Sequence, residues 1–478
     1  MYLGIDLGTS GVKATLIDAG QRVLGSETAP LTVSRPHPNW SEQDPADWIA
    51  ATEAALSALA RGQDLSGLRG IGLSGQMHGA VTLDAGGAVL RPAILWNDTR
   101  AHAEAAAMDA LPDVRRLSGN IVFPGFTAPK LVWMARHESA LFDRVACVLL
   151  PKDYLRLWLT GERVSEMSDA SGTSWLDVAG RDWSEPLLAA GGMRRDQMPA
   201  LVEGSAPSGH LRRDLAERWG IAGPVVVAGG AGDNAATAIG AGTVAEGQGF
   251  VSLGTSGVVF AASDRFLPAP DMAVHAFCHA LPATWHQMGV LLSASAALEW
   301  LAGILNARAA DLTQDLGPLQ TPGTALFLPY LSGERTPHND ALAKGVLAGL
   351  TPTTDRAALT RAVLEGVAFA LADNLTALRA AGADPGALLA LGGGARSDYW
   401  LRLIASTLNL PILLPVGGDY GAAFGAARLG LMAATGADPA EVCTMPGIAA
   451  RIEPDAALVP AFAEGLARFR ALYPASRG

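Results

Sequence analysis

The sequence predicts an α/β protein with two domains of like topology, and chain length and one internal repeat carry this prediction. The chain has 478 residues, and at roughly 150 residues per domain this length suggests two or three domains. The segment Asp6-Leu7-Gly8-Thr9-Ser10-Gly11-Val12 recurs as Ser252-Leu253-Gly254-Thr255-Ser256-Gly257-Val258, between strand-like segments in both places. The repeat predicts a boundary near residues 243–247. A chance match in a chain rich in Ala and Gly is the alternative.

The first half is predicted to begin with the order β-β-β-α-β. Apolar residues alternate on both sides of the turn at 8–11, which indicates a β-hairpin. Asp44-Pro45 offers an N-cap and a first-turn proline to a helix. The predicted elements are strands at 3–7, 12–17, 23–29 and 68–73 and a helix at 46–60, and further on a strand at 224–228 and a helix at 234–239.

The second half is predicted to contain strands and helices like those of the first. Strand-like segments flank the second turn at 254–257, and longer segments with helical periodicity follow. The predicted elements are strands at 249–253, 258–262, 388–391 and 412–414 and helices at 293–305, 355–379, 397–408 and 420–434. We expect an irregular tail at 438–457 and a closing surface helix at 461–472.

Composition argues against nucleic-acid and membrane partners. Lys and Arg number 35 against 46 Asp and Glu, a net charge of −11, whereas binding to a phosphate backbone needs a basic surface. The longest apolar stretches, 221–232 and 403–416, are shorter than the roughly 20 residues that span a bilayer. We therefore expect neither partner.

The cysteines and the N-terminus favour a reducing cytoplasm. Cys147, Cys278 and Cys443 are sparse and far apart, which is not the pattern of a disulfide framework. Asp6 interrupts the apolar residues at the N-terminus before a signal-peptide core can form. Cytoplasmic location is the expectation.

Glycine is over-represented, with 55 residues, and its clusters predict phosphate binding. The turns Gly8-Thr9-Ser10-Gly11 and Gly254-Thr255-Ser256-Gly257 expose backbone N–H groups that a phosphate can approach closely. Gly392-Gly393-Gly394 precedes a helix start, where N–H groups also meet anions. For one turn alone a purely structural role would be preferred, but the repetition favours a triphosphate held from both sides. Residues 229–232 form a further cluster where the backbone would approach phosphate or sugar, and the remaining glycines are attributed to ordinary turns.

Other nucleotide sites fit less well. The P-loop pattern is absent from the sequence. Residues 230–235 match a relaxed dinucleotide fingerprint, but they lie deep in the chain and lack the acidic residue expected about 20 positions on. This match would also leave the repeated turns unexplained.

Four short segments supply candidate chemistry. Asp6 lies at the end of the first predicted strand, beside the first turn, and suits Mg²⁺ held through water, or it stabilises the hairpin. Asp233 is a candidate general base or a helix cap. Gln76-Met77-His78 follows a strand, where a histidine is more often structural. Trp96-Asn97-Asp98 combines an aromatic face with polar groups that suit a polyol, although Trp96 equally suits a core.

Two other chemistries are disfavoured. His275, Cys278, His279 and His286 suggest zinc, but they lack a paired C-x-x-C and lie in strand-like sequence. Serine hydrolysis lacks its G-x-S-x-G cue.

Seven segments together resemble the FGGY family of carbohydrate kinases, from residue 1 to about residue 435. They are IDLGTSGVK, QMHG, GFTAPKLVWMARHE, AGDNAA, SLGTSG, LPYLSGERTPH and LGGGARSDYW. The resemblance implies two actin-like, ribonuclease-H-like ATPase domains with a cleft between them. Residues 1–245 would form the sugar-binding domain and 246–437 the mainly ATP-binding domain, with an extension at 438–478 packed on the second.

The resemblance also implies roles for individual residues. Asp233 would be the general base, Met77 and His78 would contact a ketose, and Asp6 would lie near the metal and phosphates. Thr255, Gly394 and Asp398 would contact ATP, although several relatives carry asparagine where this chain has Asp398. The further candidates are Gln76, Trp96, Asn97, Asp98 and Asn234 for the sugar, Gly8, Thr9, Ser10, Lys13, Gly254, Ser256 and Gly393 for ATP, and Asp233 beside Asp6 for Mg²⁺.

The implied reaction is phosphorylation of D-xylulose by ATP to D-xylulose 5-phosphate, with Mg²⁺ as cofactor and a homodimer as one possible assembly. A kinase for another ketose or polyol, such as D-ribulose, L-xylulose, ribitol or glycerol, is the nearest alternative. An actin- or chaperone-like switching ATPase and a non-catalytic sugar sensor are the alternatives from other classes. A long peptide-binding segment, which would favour the switching ATPase, is not evident in the sequence, and neither is the output domain that a sensor would need.

Overall fold

The first half of the chain is built on a seven-stranded mixed sheet. A computed structural model describes residues 1–314, 316–417 and 420–477. The strand order is β5-β6-β4-β1-β2-β3, with β7 paired to β4. β1 is antiparallel to β2 and parallel to β4, so the predicted hairpin is confirmed. The strands are β1 Tyr2–Leu7, β2 Gly11–Ile17, β3 Val23–Pro30, β4 Gly70–Gly75, β5 Pro207–His210, β6 Val226–Ala228 and β7 Ala231–Gly232.

The second half repeats this sheet. Its order is β10-β11-β9-β8-β12-β13-β14. The hairpin β8–β9 corresponds to β1–β2, and the parallel pair β8–β12 corresponds to β1–β4. The strands are β8 Gly249–Leu253, β9 Gly257–Ser263, β10 His275–Cys278, β11 Trp285–Leu291, β12 Leu388–Leu391, β13 Ile412–Pro415 and β14 Ile448–Ile452. Matching strand orders and directions support two domains of like topology.

Nine longer helices accompany these sheets in the described part of the chain. Asp44 caps the first of them, because its side chain accepts a hydrogen bond from Ala46 N at 2.9 Å. Asp355 caps the sixth in the same way, accepting from Ala358 N at 2.8 Å. The helices are α1 Pro45–Gly62, α2 Thr127–His137, α3 Pro151–Thr160, α4 Asp233–Ala241, α5 Ser295–Ile304, α6 Arg356–Ala380, α7 Asp398–Leu408, α8 Ala422–Thr435 and α9 Val459–Ala475.

Shorter elements fill the connections between these. The short strands are Glu42–Gln43, Val81–Leu83, Ala93–Ile94, Cys147–Leu149, Val164–Glu166, Leu176–Asp177, Asp182–Trp183, Ala200–Val202, Leu326–Leu328 and Val346–Ala348. The short helices are His102–Asp109, Val114–Ser118, Ser139–Phe142, Met167–Ala170, Glu185–Ala190, Arg213–Arg218, Ala309–Gln314 and Pro439–Val442. Among the described residues, no helix combines the length and apolarity needed to cross a bilayer.

Helix α8 comes from the second half but packs on the sheet of the first. A Cβ on Gly4 of β1 would lie 1.8 Å from Ala423 O, and one on Gly72 of β4 would lie 1.8 Å from Ala426 O. The helix also crosses α4 so closely that a Cβ on Gly425 would lie 1.8 Å from Ala236 O. Part of the glycine excess therefore serves close backbone packing between a helix and a sheet, so its attribution to phosphate or sugar sites and ordinary turns alone was wrong.

The tail differs from the sequence prediction. Residues 438–457 are not irregular throughout, because Pro439–Val442 forms a helical turn and Ile448–Ile452 forms the edge strand β14. Four of the five side chains of β14 are exposed, so no apolar alternation marks it. The predicted closing helix is confirmed as α9. Gly478, the last residue of the predicted extension, lies outside the described residues, as does Asp315.

Candidate active site

The carboxyl ends of strands in the first sheet bring the predicted acidic residues to one edge. Strand β4 lies between β1 and β7, with Asp6 opposite Ser74 and Ser74 opposite Ala231. Asp233 directly follows β7 and is the first residue of α4. The carboxyl ends of adjacent parallel strands form the ligand-binding edge of α/β sheets. Asp6 and Asp233 therefore share an edge suited to a ligand.

Asp6 has an oxygen free for a ligand. Its Oδ1 is buried and forms no hydrogen bond within the described chain. The pKa of Asp6 is raised to about 6, mainly by burial; a hydrogen bond from Ser74 and the charge of Lys13 oppose the rise, and the Asp233 carboxylate adds to it. A cation would compensate a buried carboxylate of this kind. The residues at this position thus fit Mg²⁺ held directly or through water.

Asp233 presents one carboxylate oxygen to its own helix. Its Oδ1 accepts from Asn234 N at 2.7 Å and from Asn234 Nδ2 at 3.0 Å. Burial raises the pKa of Asp233, and these two bonds from Asn234 oppose the rise. Because both described bonds reach Oδ1, Oδ2 remains for a substrate hydroxyl. Asn234 orients the carboxylate in this arrangement.

The Met77–His78 turn lies against the same edge. A Cβ on Gly232 would come within 2.8 Å of Met77 Sδ, so the thioether packs on the residue that precedes Asp233. His78 has φ +70°, a left-handed conformation that is unusual for a residue with a side chain. Its backbone carbonyl accepts from Lys130 Nζ at 2.8 Å and from Thr127 Oγ1 at 3.1 Å. These bonds from α2 hold the turn.

The His78 ring has a defined protonation state. Its Nδ1 lies 2.7 Å from Gly172 O, and the ring stacks on Phe126 with centroids 4.4 Å apart. Burial lowers its pKa to about 3, so the ring is neutral at physiological pH. A carbonyl oxygen only accepts, so Nδ1 carries the proton and Nε2 is left as an acceptor. His78 can therefore accept a hydrogen bond from a sugar hydroxyl.

Gln76 belongs to a network that reaches the first glycine turn. Thr9 Oγ1 donates to Gln76 Oε1 at 3.0 Å, and Trp96 Nε1 donates to Thr9 Oγ1 at 3.0 Å. Gln76 Nε2 donates to Gln43 Oε1 at 2.9 Å. The network brings Thr9, predicted as an ATP contact, together with Gln76 and Trp96, predicted as sugar contacts. Gln43 was not predicted.

Residues 96–98 differ in their surroundings. The Trp96 side chain is 44% exposed, so the core alternative for this residue does not hold. Asn97 Oδ1 is buried and unpartnered within the described chain, which leaves an acceptor for a ligand. Asp98 is buried and uses its carboxylate for Ser41 N at 2.6 Å and Arg100 Nη2 at 2.6 Å. A sugar contact by Asp98 would have to compete with that ion pair.

The second glycine turn is tied to α5. Ser295 N donates to Gly254 O and Ala294 N donates to Thr255 O, each at 2.9 Å. Thr255 and Ser256 are exposed. The turn therefore has its carbonyl groups fixed by the protein, which leaves its N–H groups and hydroxyls for an anion.

Two cavities flank the third glycine cluster. One of about 850 Å³ is lined by Thr237, Ser252, Gly392 and Tyr420, among others. The other, of about 470 Å³, includes Gly393, Gly394, Ser295 and Trp400. Thr237 belongs to α4 and Trp400 to α7, and each cavity has the volume of a typical ligand pocket.

Asp398 and Lys13 are not among the residues that line these two cavities. Asp398 lines a neighbouring cavity of about 640 Å³ and is paired with Arg402 Nε at 2.7 Å. That cavity shares Arg396 and Ser397 with the one beside Gly393 and Gly394, so an ATP contact by Asp398 stays a prediction. Lys13 lies opposite Asp6 in the β1–β2 pairing.

The zinc pattern does not form a metal centre. Among the described residues, no group of three or more His, Cys, Asp or Glu side chains is arranged to hold a metal ion. His279 and His286 are buried with centroids 5.9 Å apart, and burial lowers the pKa of both. They are neutral core residues.

Sequence reasoning missed three residues that support this site. Gly172 and Lys130 hold His78, and Arg335 lies beside His275 in the aromatic cluster next to it. Lys130 and Arg335 belong to segments quoted above for the family resemblance, but nothing local marks their contacts.

Comparison with known proteins identifies the family. Residues 1–240 match the FGGY family of carbohydrate kinases, N-terminal domain, and residues 249–434 match its C-terminal domain. The chain is 52% identical over 438 residues to the xylulose kinase of Escherichia coli K12, covering 91% of this chain and 90% of that one.

Solved structures agree. A xyloylose kinase from Brucella ovis has 61% identity and a TM-score of 0.98, covering 100% of this chain and 99% of that one. The xylulose kinase of Rhodospirillum rubrum has 29% identity and a TM-score of 0.90, covering 99% and 98%. The predicted two-domain, actin-like ATPase fold is therefore confirmed, and the chain belongs to the FGGY family of carbohydrate kinases, which phosphorylate sugars with ATP.

Proposed function

We propose that this kinase phosphorylates D-xylulose at its terminal hydroxyl, with Asp233 as the general base. Relatives that cover about nine-tenths of the chain are named xylulose kinases. The observation that carries the base assignment is the Asp233 carboxylate itself. Asn234 holds its Oδ1, which leaves its Oδ2 for a substrate hydroxyl, and Met77 packs on the preceding Gly232.

In this reaction Asp233 accepts the proton of the sugar hydroxyl as that oxygen attacks the γ-phosphorus of ATP, and the bond from this phosphorus to the β–γ bridging oxygen breaks to release ADP. Phosphoryl transfer depends mostly on positioning and charge neutralisation, so a carboxylate of modest basicity is sufficient. The raised pKa of Asp233 strengthens it as a proton acceptor relative to an exposed aspartate.

The sugar would be held by groups of complementary hydrogen-bonding type. His78 Nε2 accepts from a hydroxyl, because Nδ1 is already bonded to Gly172 O. Asn97 offers a buried acceptor, and the exposed Trp96 ring offers an apolar face to sugar C–H groups. These groups lie on the first half of the chain, as the sugar site was expected to.

The nucleotide would lie against the second half. The N–H groups of residues 254–257 would bind phosphate oxygens, and the cavities beside Gly392–Gly394 would take the rest of ATP. Mg²⁺, when bound at Asp6 with Asp233 nearby, would neutralise charge on the transferring phosphate. The division into 1–245, 246–437 and 438–478 is part of this proposal.

The test is ATP-dependent phosphorylation across a panel of ketoses and polyols. We expect D-xylulose to give the highest kcat/KM and Asp233→Ala to lower kcat by roughly 10²–10⁴-fold. Asp271→Ala is the matched control, because its side chain is 93% exposed. Near wild-type transfer by Asp233→Ala would overturn the base assignment. An ATP turnover rate that does not depend on any acceptor in the panel would favour a switching ATPase instead.

A further inference from the structure

Arg335 reaches from the second half of the chain to the aromatic cluster beside His78. Its Nη1 donates to His275 Nε2 at 3.2 Å, and its guanidinium carbon lies 4.6 Å from the Phe123 ring centroid. The backbone that carries it is fixed, because Glu334 Oε1 accepts from Arg335 N at 2.7 Å. Thr336 Oγ1 also donates to Ala273 O at 2.7 Å. The side chain is thus held at a defined position.

The Arg335 guanidinium has few hydrogen-bond partners within the described chain. Its side chain forms one hydrogen bond within the described chain, to the neutral ring of His275, and no carboxylate lies within ion-pair distance of it there. Burial lowers the pKa of Arg335 to about 10. Burial also raises the pKa of the adjacent Glu334 to about 8, so that carboxyl group is largely protonated at neutral pH. A partly buried cation without a counter-charge is costly unless a ligand completes its hydrogen bonds.

The cluster connects Arg335 to the candidate sugar site. The His275 ring centroid lies 5.2 Å from that of Phe123 and 5.9 Å from that of Phe126. Phe126 in turn stacks on His78 at 4.4 Å. Burial is the main cause of the low pKa of His78, and the charges of Lys130 and then Arg335 lower it further. Arg335 and His78 therefore border the same region from the two halves of the chain.

The chemistry of the substrate calls for a donor in this region. Ring closure of a 2-ketopentose through its terminal oxygen blocks that hydroxyl, so the sugar that is phosphorylated there is the open-chain form with a free C2 carbonyl. A carbonyl oxygen can only accept a hydrogen bond. His78 Nε2 is itself an acceptor, the single indole N–H of Trp96 is bonded to Thr9 Oγ1, and Gln76 Nε2 uses one of its two hydrogens for Gln43 Oε1. The Arg335 guanidinium is a charged donor bordering this region, and charged donors form the stronger hydrogen bonds.

We propose that Arg335 is a substrate-contacting residue that donates hydrogen bonds to the C2 carbonyl end of the ketose and thereby selects ketoses over polyols. This proposal rests on the proposed function, since it takes the sugar to lie beside His78. A polyol carries a hydroxyl at C2 that can donate to other acceptors, so it depends less on a fixed cationic donor. Because Arg335 comes from the second half, the contact also joins both halves around the sugar.

The experiment compares wild type, Arg335→Gln and Arg335→Lys on D-xylulose, with xylitol as a competitive ligand. We expect Arg335→Gln to raise KM for D-xylulose by roughly tenfold or more, the loss typical of a charged hydrogen bond. KM for ATP and the inhibition constant of xylitol should change little, and Arg335→Lys should recover part of the loss. Arg308→Gln is the matched control, because its side chain is 80% exposed.

The outcomes separate this proposal from the proposed function. Absence of ketose phosphorylation by wild type would reject the proposed function before any variant is compared. An unchanged KM for D-xylulose in Arg335→Gln, or an equal loss for D-xylulose and xylitol, would overturn the role of Arg335. Thermal unfolding of each variant checks the fold, and Arg335→Lys keeps the test valid if the glutamine variant is unstable.

Discussion

Lys130 Nζ lies 2.8 Å from the backbone carbonyl oxygen of His78 and holds it from inside the protein. The lysine is fully buried, and burial lowers its pKa well below the usual range. His78 has a left-handed backbone that costs roughly 1–2 kcal/mol in a residue with a side chain. The lysine therefore supports a conformation that the chain would not adopt by itself.

Lys130→Met should weaken ketose binding more than folding. The variant loses the hydrogen bond from Lys130 Nζ to the His78 carbonyl oxygen but keeps an apolar side chain of similar length. It also removes a buried amine, whose burial is itself unfavourable to folding. We expect KM for the ketose to rise by roughly tenfold, with KM for ATP within about twofold and little change in melting temperature. Steady-state kinetics would check this against Lys344→Met, whose side chain is exposed. Equal effects on both KM values would contradict the assignment.

Gly172→Ala should displace the His78 ring. A Cβ at this position would lie 2.4 Å from His78 Cε1 and 2.5 Å from its Nδ1. The ring must then move and lose its bond to the Gly172 carbonyl, so we expect kcat/KM for the ketose to fall by roughly 10-fold or more. Gly223→Ala serves as the control, because a Cβ there meets no atom within 4 Å. Wild-type kinetics in Gly172→Ala would show that His78 does not need this position.

Asp6→Asn should stabilise the fold while removing activity. Burial raises the pKa of Asp6 from 3.8 to about 6. Above about pH 6 the folded protein thus carries a charge that the unfolded chain accommodates better, a cost of roughly 3 kcal/mol that disappears below about pH 4. In metal-free buffer we expect the variant to have a higher melting temperature than wild type at pH 8 and the same melting temperature near pH 4.

Thermal unfolding at pH 8 and near pH 4 tests this prediction. Thermal unfolding at both pH values gives the stability difference, with Asp271→Asn as an exposed control. A stability gain that persisted unchanged at low pH would mean that the charge of Asp6 is not its origin.

Gly425→Ala and Gly303→Ala should change stability in opposite directions. Both glycines lie in helices, but a Cβ on Gly425 would lie 1.8 Å from Ala236 O, whereas one on Gly303 meets nothing within 4 Å. We expect overpacking in Gly425→Ala to lower the free energy of unfolding by roughly 1–3 kcal/mol or more. Gly303→Ala should raise it by roughly 0.5–1 kcal/mol. Denaturant unfolding measures both, and a neutral Gly425→Ala would show that α4 and α8 can separate freely.

Local patterns predicted the parts of this fold that local sequence controls. The two glycine turns, their hairpins and the helix capped by Asp44 depend on residues a few positions apart. The supports of His78 escaped prediction because they lie 52 and 94 residues away along the chain. Strand β14 was missed because its mostly exposed side chains show no alternation.

The position of α8 has a consequence for protein synthesis. The helix that covers one face of β1 and β4 begins at Ala422, whereas β4 ends at Gly75. At roughly 5–20 residues per second, a ribosome needs on the order of 20–70 s to make the intervening chain. During that interval the glycine-lined face of the first sheet has no partner helix. That face therefore acquires its partner helix only after residues 422–435 have emerged from the ribosome.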